Sequence, residues 1–214
     1  MRLAELSERS GVPIATIKYY LREGLLAPGR QINARTSEYD EEHLRRLRLV
    51  RAMIQVGRVP VAKVREVLGH VDDDSLGRTI RLGAAMWALP QVPEPDEDDE
   101  FVQAAEQEVI TLLDRLGWEN TKRLTTISSA YRSLVVAMAA LRRIGYDWEA
   151  ELLEPYAELM HRAAVLDLNL LETQPSGTEQ IEFAVLGAIL IEPVLQALHR
   201  LAQEEETTRR YGFE

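Results

Sequence analysis

The chain has 214 residues, of which 46% are hydrophobic, and it contains no cysteine. This length is sufficient for one or two domains with a buried core. The lack of cysteine excludes disulfides, thiolate zinc sites and a catalytic or redox-sensing thiol, and it is consistent with a reducing compartment.

The sequence favours a cytoplasmic protein without membrane association. The first residues, MRLAE, contain no apolar signal core. The longest uninterrupted apolar run, 183–191, is much shorter than the ~20 residues of a membrane-spanning helix.

The net charge of −10 is divided unevenly along the chain. Residues 1–70 carry 13 basic and 8 acidic side chains, whereas residues 71–214 carry 12 and 27. A basic head on an acidic body can bind phosphates locally, so the negative total does not exclude a nucleic-acid ligand.

The first part of the chain shows the pattern of a helix-turn-helix. A short helix over 3–9 is followed by Gly11, which suits a turn with positive φ, and by Pro13, which suits a helix start. The second helix is predicted to turn three side chains toward the core: Ile14, Ile17 and Leu21. Two short helices joined by a glycine turn predict a DNA-binding motif.

A loop or small hairpin is predicted for 25–39, and two supporting helices follow. Asp40 is a good N-cap for the first of them, and Glu41 and Glu42 suit its positive end. Gly57 ends this helix, and Pro60 begins the next. Together these elements predict a winged helix-turn-helix.

The rest of the chain is predicted to be all helical. A short helix is predicted from about Ser75 to Leu89, and the prolines and acidic residues of 90–100 indicate a linker. Four further helices are predicted at approximately 101–116, 120–144, 147–172 and 178–206. Glu192-Pro193 predicts a kink or a break in the last of them.

The predicted fold class is mainly α, with an N-terminal winged helix-turn-helix, two supporting helices, a short connecting helix and a C-terminal all-α bundle. The domain prediction comprises a DNA-binding domain at 1–70, a connecting or dimerisation helix at 71–89, an acidic Pro-rich linker at 90–100 and an effector-binding or dimerisation domain at 101–214.

Several motifs occur in one order over the first third of the chain. They are LAEL, SGVP, TIKYY, EGLL, P-x-R, EYDEEHLRRL and VREVL. In this order and spacing, residues 1–70 resemble the MerR family of bacterial transcription regulators. The resemblance implies a winged helix-turn-helix that binds duplex DNA.

The second helix of such a motif enters the major groove, and its N-terminal half reaches base edges. If Ile14, Ile17 and Leu21 face the core, this half presents outward-facing side chains to DNA. The resemblance also implies contacts by Thr16, Lys18 and Tyr19. The predicted DNA-binding residues are Arg2, Ala15, Thr16, Lys18, Tyr19, Arg22, Arg30, Arg35, Thr36, Ser37 and Tyr39.

Two departures from the family pattern concern DNA contacts. Lys18 stands where most members have arginine, which removes a bidentate fork. In the wing, Thr36 and Ser37 replace the usual tyrosine and arginine, and Arg30 and Arg35 are candidates to take over phosphate contacts. For the arginines of the following helix, a solvated face and DNA contact both remain open.

The resemblance further implies a homodimer on a pseudo-palindromic promoter, where RNA polymerase also binds and where the protein distorts the DNA. Family dimers use a helix after the DNA-binding region, but here that helix is short and ends at Leu89-Pro90. Dimerisation through residues 75–89 and dimerisation through the C-terminal bundle are both open.

An organic effector is the preferred hypothesis for the C-terminal bundle, since helix bundles form apolar cavities. Aromatic side chains with a buried carboxylate would suit a cationic or amphipathic ligand. The candidate pocket residues are Trp118, Tyr131, Tyr146, Trp148, Tyr156, Phe183, Glu182 and Glu192. The alternative is a bundle that serves only dimerisation or a protein partner.

Enzymatic and metal-dependent functions are not predicted. The sequence contains no Gly-rich phosphate loop, no Gly-x-Ser-x-Gly and no HExxH. The four histidines have no paired spacing typical of a metal site. We therefore expect no catalytic residues, no bound metal and no cofactor.

Overall fold

The computed structural model describes residues 1–33, 36–90, 92–175 and 177–212. The fold is mainly α, as predicted, with one two-stranded sheet in the described part of the chain. The elements are α1 (Leu3–Ser10), α2 (Ile14–Arg22), β1 (Arg30–Asn33), β2 (Thr36–Glu38), α3 (Glu41–Arg51), a π-helical turn (Ala52–Val56), α4 (Val61–Asp72), α5 (Arg78–Trp87), α6 (Glu100–Leu116), α7 (Glu119–Lys122), α8 (Ser129–Arg143), α9 (Ala150–Glu172) and α10 (Gly177–Tyr211).

The chain forms two compact units. The first comprises Met1–Leu89 together with Gln174–Glu214, and the second comprises Pro90–Thr173. This division differs from the predicted single domain at 101–214, because α10 packs with the N-terminal elements. The reason is that the first half of α10 contributes Ile181, Val185 and Ile189 to the core of the first unit.

The core of the first unit holds the helix-turn-helix together. Leu6 of α1, Ile17 of α2 and Leu47 of α3 are completely buried. Helices α1 and α2 are too short to be stable alone, so their conformation depends on this shared core.

Helix α3 begins with a reciprocal cap and ends in a wider turn. The Asp40 carboxylate accepts a hydrogen bond from the His43 backbone N–H, and the His43 ring accepts one from the Asp40 N–H. After Arg51 the chain forms the π-helical turn, in which the Gly57 N–H donates to the Ala52 carbonyl at 2.9 Å. The predicted end of the helix at Gly57 therefore agrees with the structure.

Arg81 fixes α5 within the first unit. Its guanidinium is buried and donates to the Val71 carbonyl at 2.9 Å and to the Thr178 hydroxyl at 2.8 Å. It also forms an ion pair with Asp74 at 2.6 Å. A single side chain thus connects the end of α4, α5 and the start of α10.

Helix α10 is continuous through Pro193, so the predicted interruption at Glu192-Pro193 is not observed as a break. Among the described residues, α10 is the one helix that is long and apolar enough by length and composition to cross a membrane. Its first half instead packs in the protein core. Gly57 marks this packing, because a Cβ atom there would lie 2.9 Å from Ile189 Cγ2 and 3.0 Å from the Met53 carbonyl oxygen.

The second unit is built on α6, α8 and α9. Its core contains Val109, Val135 and Met138, each less than 3% exposed. The predicted helix at 120–144 is divided into α7 and α8. The division occurs because Ser128 caps a new helix, its hydroxyl accepting a hydrogen bond from the Tyr131 N–H at 3.2 Å.

Candidate nucleic-acid interface

One face of α2 presents four side chains to solvent. Ala15, Lys18, Tyr19 and Arg22 recur at the i, i+3, i+4, i+7 spacing, and none of them is part of the core. The same helix buries Ile17 and Tyr20 on its opposite face. The outward face combines two cations with a tyrosine hydroxyl, a chemistry that suits phosphate and base-edge acceptors.

The neighbouring positions of α2 differ partly from the sequence prediction. Thr16 is half-buried, at the edge of the outward face. Ile14 was predicted to face the core but is 39% exposed, so that prediction is wrong. The reason is its place in the first turn of α2, directly after Pro13, where the core is carried by Val12 and Ile17 instead.

The turn between α1 and α2 is held by specific hydrogen bonds. Gly11 adopts φ +65°, and the Ser7 hydroxyl donates to the Val12 carbonyl at 2.7 Å. Arg51 donates to the Ser10 carbonyl at 3.1 Å. A Cβ atom at position 11 would lie 2.7 Å from Arg51 Nη1, so this arginine closes over the turn. Arg51 therefore has a structural role in orienting α2.

The wing is an antiparallel hairpin of β1 and β2 with an irregularity between Gln31 and Asn33. The side chain of Arg30 is 80% exposed and forms an ion pair with Glu38, which lowers the pKa of that carboxyl. Thr36 and Ser37 are half-buried. The predicted contact at Arg35 lies outside the described residues.

Ile32 is a wing residue that the sequence prediction did not include. It is 48% exposed in β1 beside the exposed Gln31. An isolated apolar residue in a polar loop carries little periodic signal, so no pattern identified it.

Tyr39 was predicted to contact DNA but belongs to the core, with 7% of its surface exposed. Its ring lies edge-on to His43 at 5.2 Å between centroids. Its carbonyl accepts a hydrogen bond from the Met1 ammonium group at 2.6 Å. Tyr39 therefore anchors the N-terminus beside the wing, where Arg2 is exposed.

Two arginines of α3 face α10. Arg45 lies 3.2 Å from Glu179, and Arg46 lies 3.5 Å from Glu182. Arg46 also forms an ion pair with Asp72. Burial raises the pKa of Glu182, while Arg46 and Arg45 partly oppose this shift. These contacts support a structural role for Arg45 and Arg46.

The predicted effector residues are divided between the two units. Trp118, Tyr131 and Trp148 pack partly buried against the core of the second unit. Tyr156 stacks on Trp148 at 5.8 Å between ring centroids, and Tyr146 is 61% exposed.

The other three candidates lie on α10, in the first unit. Glu182 is buried in the ion-pair network with Arg46, Phe183 is half-buried, and Glu192 is exposed. The prediction grouped all eight side chains because it placed α10 in the same domain as the aromatic residues. Only the residues of the second unit share one core.

A cleft of about 320 Å³ lies within the second unit and includes one predicted residue, Tyr131. Burial and the nearby Glu106 raise the pKa of this tyrosine. The remaining lining residues are Glu94, Pro95, Glu97, Glu106, Thr125, Thr126 and Arg132. Three carboxylates and one guanidinium line the cleft, and Arg132 pairs with Glu94 at 3.6 Å, so the remaining two carboxylates give the cleft a net acidic character.

Comparison with known proteins relates the first third of the chain to one family. Residues 1–70 match the model of the MerR HTH family regulatory protein. The chain is 34% identical over 50 residues to an HTH-type transcriptional regulator ZntR homolog from Haemophilus influenzae. That match spans 23% of this chain and 37% of the length of the relative.

A solved structure is similar along the whole chain. It is the crystal structure of SCO5550 from Streptomyces coelicolor A3(2), described as a candidate transcriptional regulator. The two proteins are 65% identical with a TM-score of 0.86, and the match covers 100% of this chain and 99% of the other.

Proposed function

The chain belongs, through residues 1–70, to the MerR HTH family of transcriptional regulators, and we propose that it binds promoter DNA as a homodimer. The observation that carries the proposal is the outward face of α2. Lys18, Tyr19 and Arg22 lie together there, and the helix-turn-helix core leaves them accessible to a duplex.

In the proposed complex, α2 enters the major groove and the wing follows the backbone. Lys18 would donate to a guanine edge or a phosphate oxygen, and the Tyr19 hydroxyl would donate to a phosphate. Arg30 would reach a phosphate by exchanging its contact with Glu38. Arg2, Thr36 and Ser37 would add contacts at the edge of the wing.

The charge distribution supports this arrangement. The excess of basic side chains is confined to residues 1–70, while residues 71–214 have a large acidic excess. The acidic part would be repelled by DNA, which favours binding through the basic head. As a homodimer, the protein would recognise a pseudo-palindrome beside RNA polymerase and would act in the cytoplasm.

We also propose that the second unit binds a small organic effector. The acidic cleft beside Tyr131 supports this proposal, since Glu97, Glu106 and an aromatic ring favour a cationic ligand, while Glu94 pairs with Arg132. The effector would alter the DNA complex only if it bound one conformation of the dimer better than another.

A second candidate is that this unit binds a protein instead of a small ligand. A row of apolar side chains on α9 favours it, because Leu152, Tyr156, Leu159 and Leu166 are each between 47% and 63% exposed. With Ala163, these positions follow the 4-3 spacing of a coiled-coil seam. Such a surface would suit another helix.

A test of DNA binding does not require a known operator sequence. Full-length protein is used to enrich duplexes from a random library, and fluorescence anisotropy then measures the affinity of the enriched duplex against a shuffled one. A preference of at least roughly 1,000-fold is expected of a specific regulator. Equal affinity for both duplexes would contradict the proposal.

The two candidates for the second unit are separated by what co-purifies with the protein. Native mass spectrometry of the purified full-length chain would detect a bound small molecule. Its loss in a Glu106→Gln variant would support the effector proposal. A bound protein that is lost in a Leu166→Glu variant would favour the second candidate.

A further inference from the structure

The second half of α10 is apolar and exposed, in contrast to its first half. Ile181, Val185 and Ile189 are at most 8% exposed. After Ile189 five large apolar side chains face solvent, with exposed fractions between 37% and 58%, and Ile191 is half-buried. The five exposed side chains are Leu190, Val194, Leu195, Leu198 and Leu201. The helix therefore extends an apolar surface, residues 190–201, beyond the core of its own unit.

We infer that residues 190–201 form the dimer interface, packing antiparallel against the same residues of a second copy. The inference rests on the proposed function in one respect, that the regulator acts as a homodimer. The inference adds which surface joins the two copies. The family pattern would place this surface on the helix after the DNA-binding region, which here is the short helix α5.

The apolar residues are spaced so that two antiparallel copies of the segment can pair with each other. Ile191, Val194, Leu198 and Leu201 are separated by three, four and three residues, the spacing of a coiled-coil seam. In an antiparallel pair, Ile191 of one copy lies opposite Leu201 of the other, and Val194 lies opposite Leu198. A two-fold axis then passes near Gln196. A surface that complements itself in this way meets the requirement of a two-fold symmetric interface, in which the same residues of both copies are in contact.

The charged and constrained residues of this segment lie off the seam. Glu192 and Pro193 occupy outward positions of the same heptad, so neither interrupts the apolar row. The row ends after Leu201, and Glu206 forms ion pairs with Arg209 and Arg210 of its own helix. The polar end limits the contact to about three turns.

The exposed apolar area is sufficient for a small helix-to-helix contact. The five exposed side chains offer roughly 400 Å² per copy, which is comparable to the largest apolar patches on monomers. Two copies would bury roughly 800 Å² from these side chains, which is below the range of standard interfaces, about 1,200–2,000 Å², and corresponds to a small, reversible dimer contact.

Helix α5 is less suited to this role. It has ten residues, of which Leu82, Ala85 and Met86 pack into its own unit and only two large apolar side chains, Ile80 and Trp87, are exposed. Its buried Arg81 bonds to Thr178 of α10. The helix that follows the DNA-binding region is therefore already packed against other elements of its own unit.

A lipid bilayer fits the same surface less well. The first half of α10 is held in the protein core, and the apolar part that remains, about 13 residues, spans only about 20 Å. The hydrocarbon layer of a bilayer is about 30 Å thick. Glu192 would also lie within this part of the helix.

Sedimentation velocity of the full-length protein without DNA tests the interface. The wild type should sediment as a dimer of the 24.3 kDa chain. Leu198→Glu should weaken the dimer at least roughly 100-fold, because it places carboxylates in the seam. Gln203→Glu adds the same charge on the outward face and should leave the dimer unchanged. A dimer that resists Leu198→Glu, or a monomeric wild type, would overturn the inference.

Cross-linking gives a second measurement that does not depend on a disruptive variant. Because the chain has no cysteine, single-cysteine variants report the register. Leu195→Cys should cross-link rapidly with a short bis-maleimide, since position 195 lies beside the two-fold axis. Leu201→Cys should not, because antiparallel packing separates the two copies of this position by about 15 Å. Efficient cross-linking at 201, or none at 195, would refute the antiparallel arrangement.

Two further measurements, vesicle flotation and DNA affinity, distinguish the remaining possibilities. Flotation of the wild type with phosphatidylglycerol vesicles, lost in Leu198→Glu, would assign the surface to lipid and overturn the inference. DNA affinity is measured separately on the enriched duplex. A Leu198-dependent dimer that fails to bind DNA would leave the interface established and refute the proposed function alone.

Discussion

Arg46 of α3 lies 3.5 Å from Glu182 of α10, and both side chains are about nine-tenths buried. The contact joins the DNA-binding region to a helix near the end of the chain. Asp72 also pairs with Arg46, so one guanidinium connects α3, the end of α4 and α10. Each of the two buried charges has a second partner, since Arg46 pairs with Asp72 and Glu182 lies 3.9 Å from Arg45, so the four side chains form one network.

Replacement of Lys18 by alanine should weaken binding to the enriched duplex roughly tenfold and lower the salt dependence by about one counterion. The cause is the loss of one cation from the outward face of α2. Tyr19→Phe should weaken binding less, through one lost hydroxyl donor. Anisotropy titrations at several salt concentrations measure both effects.

Lys122→Ala is the matched control for Lys18, because it removes a lysine that pairs with Asp114 in the second unit. It should leave the affinity unchanged. If neither α2 variant alters binding while their melting temperatures stay normal, α2 is not the recognition helix.

Gly57→Ala should destabilise the protein by about 1–3 kcal/mol. The added methyl group would lie 2.9 Å from Ile189 and 3.0 Å from the Met53 carbonyl, so α10 must shift away. Thermal unfolding measures the loss. Gly69→Ala provides a control in α4, where a Cβ meets nothing within 4 Å, and it should stabilise slightly. Equal melting temperatures for the two variants would contradict the packing argument.

Glu182→Gln should change the pH dependence of stability in a defined direction. Burial raises the pKa of Glu182 above its ordinary 4.5, so the folded state binds its proton more tightly than the unfolded state. This contribution to stability is complete below pH 4.5 and declines as pH rises through the folded pKa. The variant should therefore gain stability relative to the wild type as the pH rises from about 4.5 to 7.

Chemical denaturation at several pH values tests this difference. Glu206→Gln is the opposing control, because hydrogen bonds from Arg209 and Arg210 lower the pKa of Glu206. Its removal should cost stability above about pH 4.5, and only slightly since the pair is exposed. A difference between wild type and Glu182→Gln that does not vary with pH would refute the expected effect of burial.

Met138→Ala should lower the stability of the second unit by about 2–5 kcal/mol, since it opens a cavity beside Val109 and Val135. Its affinity for DNA should stay unchanged, because the α2 face belongs to the first unit. Differential scanning calorimetry and anisotropy measure the two properties. Met160→Ala, at a position 58% exposed, should alter neither. A loss of DNA affinity in Met138→Ala alone would show that the two units are coupled.

The helix-turn-helix could be predicted well from the sequence because its signals are local. Gly11, Pro13 and the spacing of Ile17 determine two short helices and their turn, and the structure has both. Asp40 likewise predicted the start of α3. The outward position of Lys18 and Tyr19 followed from helical periodicity alone.

Contacts between distant residues could not be predicted in the same way. Tyr39 looks like a wing residue because it follows β2, but its ring fills the space beside His43. The apolar sequence of residues 181–201 predicts burial on several sides, but large apolar side chains are buried only as far as Ile189, and those from Leu190 to Leu201 are largely exposed. The partner of the buried half depends on a distant contact, the close approach of Ile189 to Gly57. The contact between Ile189 and Gly57 places α10 in the first unit. For this reason Glu182 is separated from the aromatic residues of the second unit.

The π-helical turn at Ala52–Val56 makes the chain more sensitive to changes in length than to changes in composition. Deletion of one residue from this turn would restore ordinary helical spacing and rotate the following residues by about 100° around the helix axis. Gly57 would no longer face Ile189, and a residue with a side chain would take its place. Insertions and deletions in this segment should therefore be selected against more strongly than substitutions at the same positions.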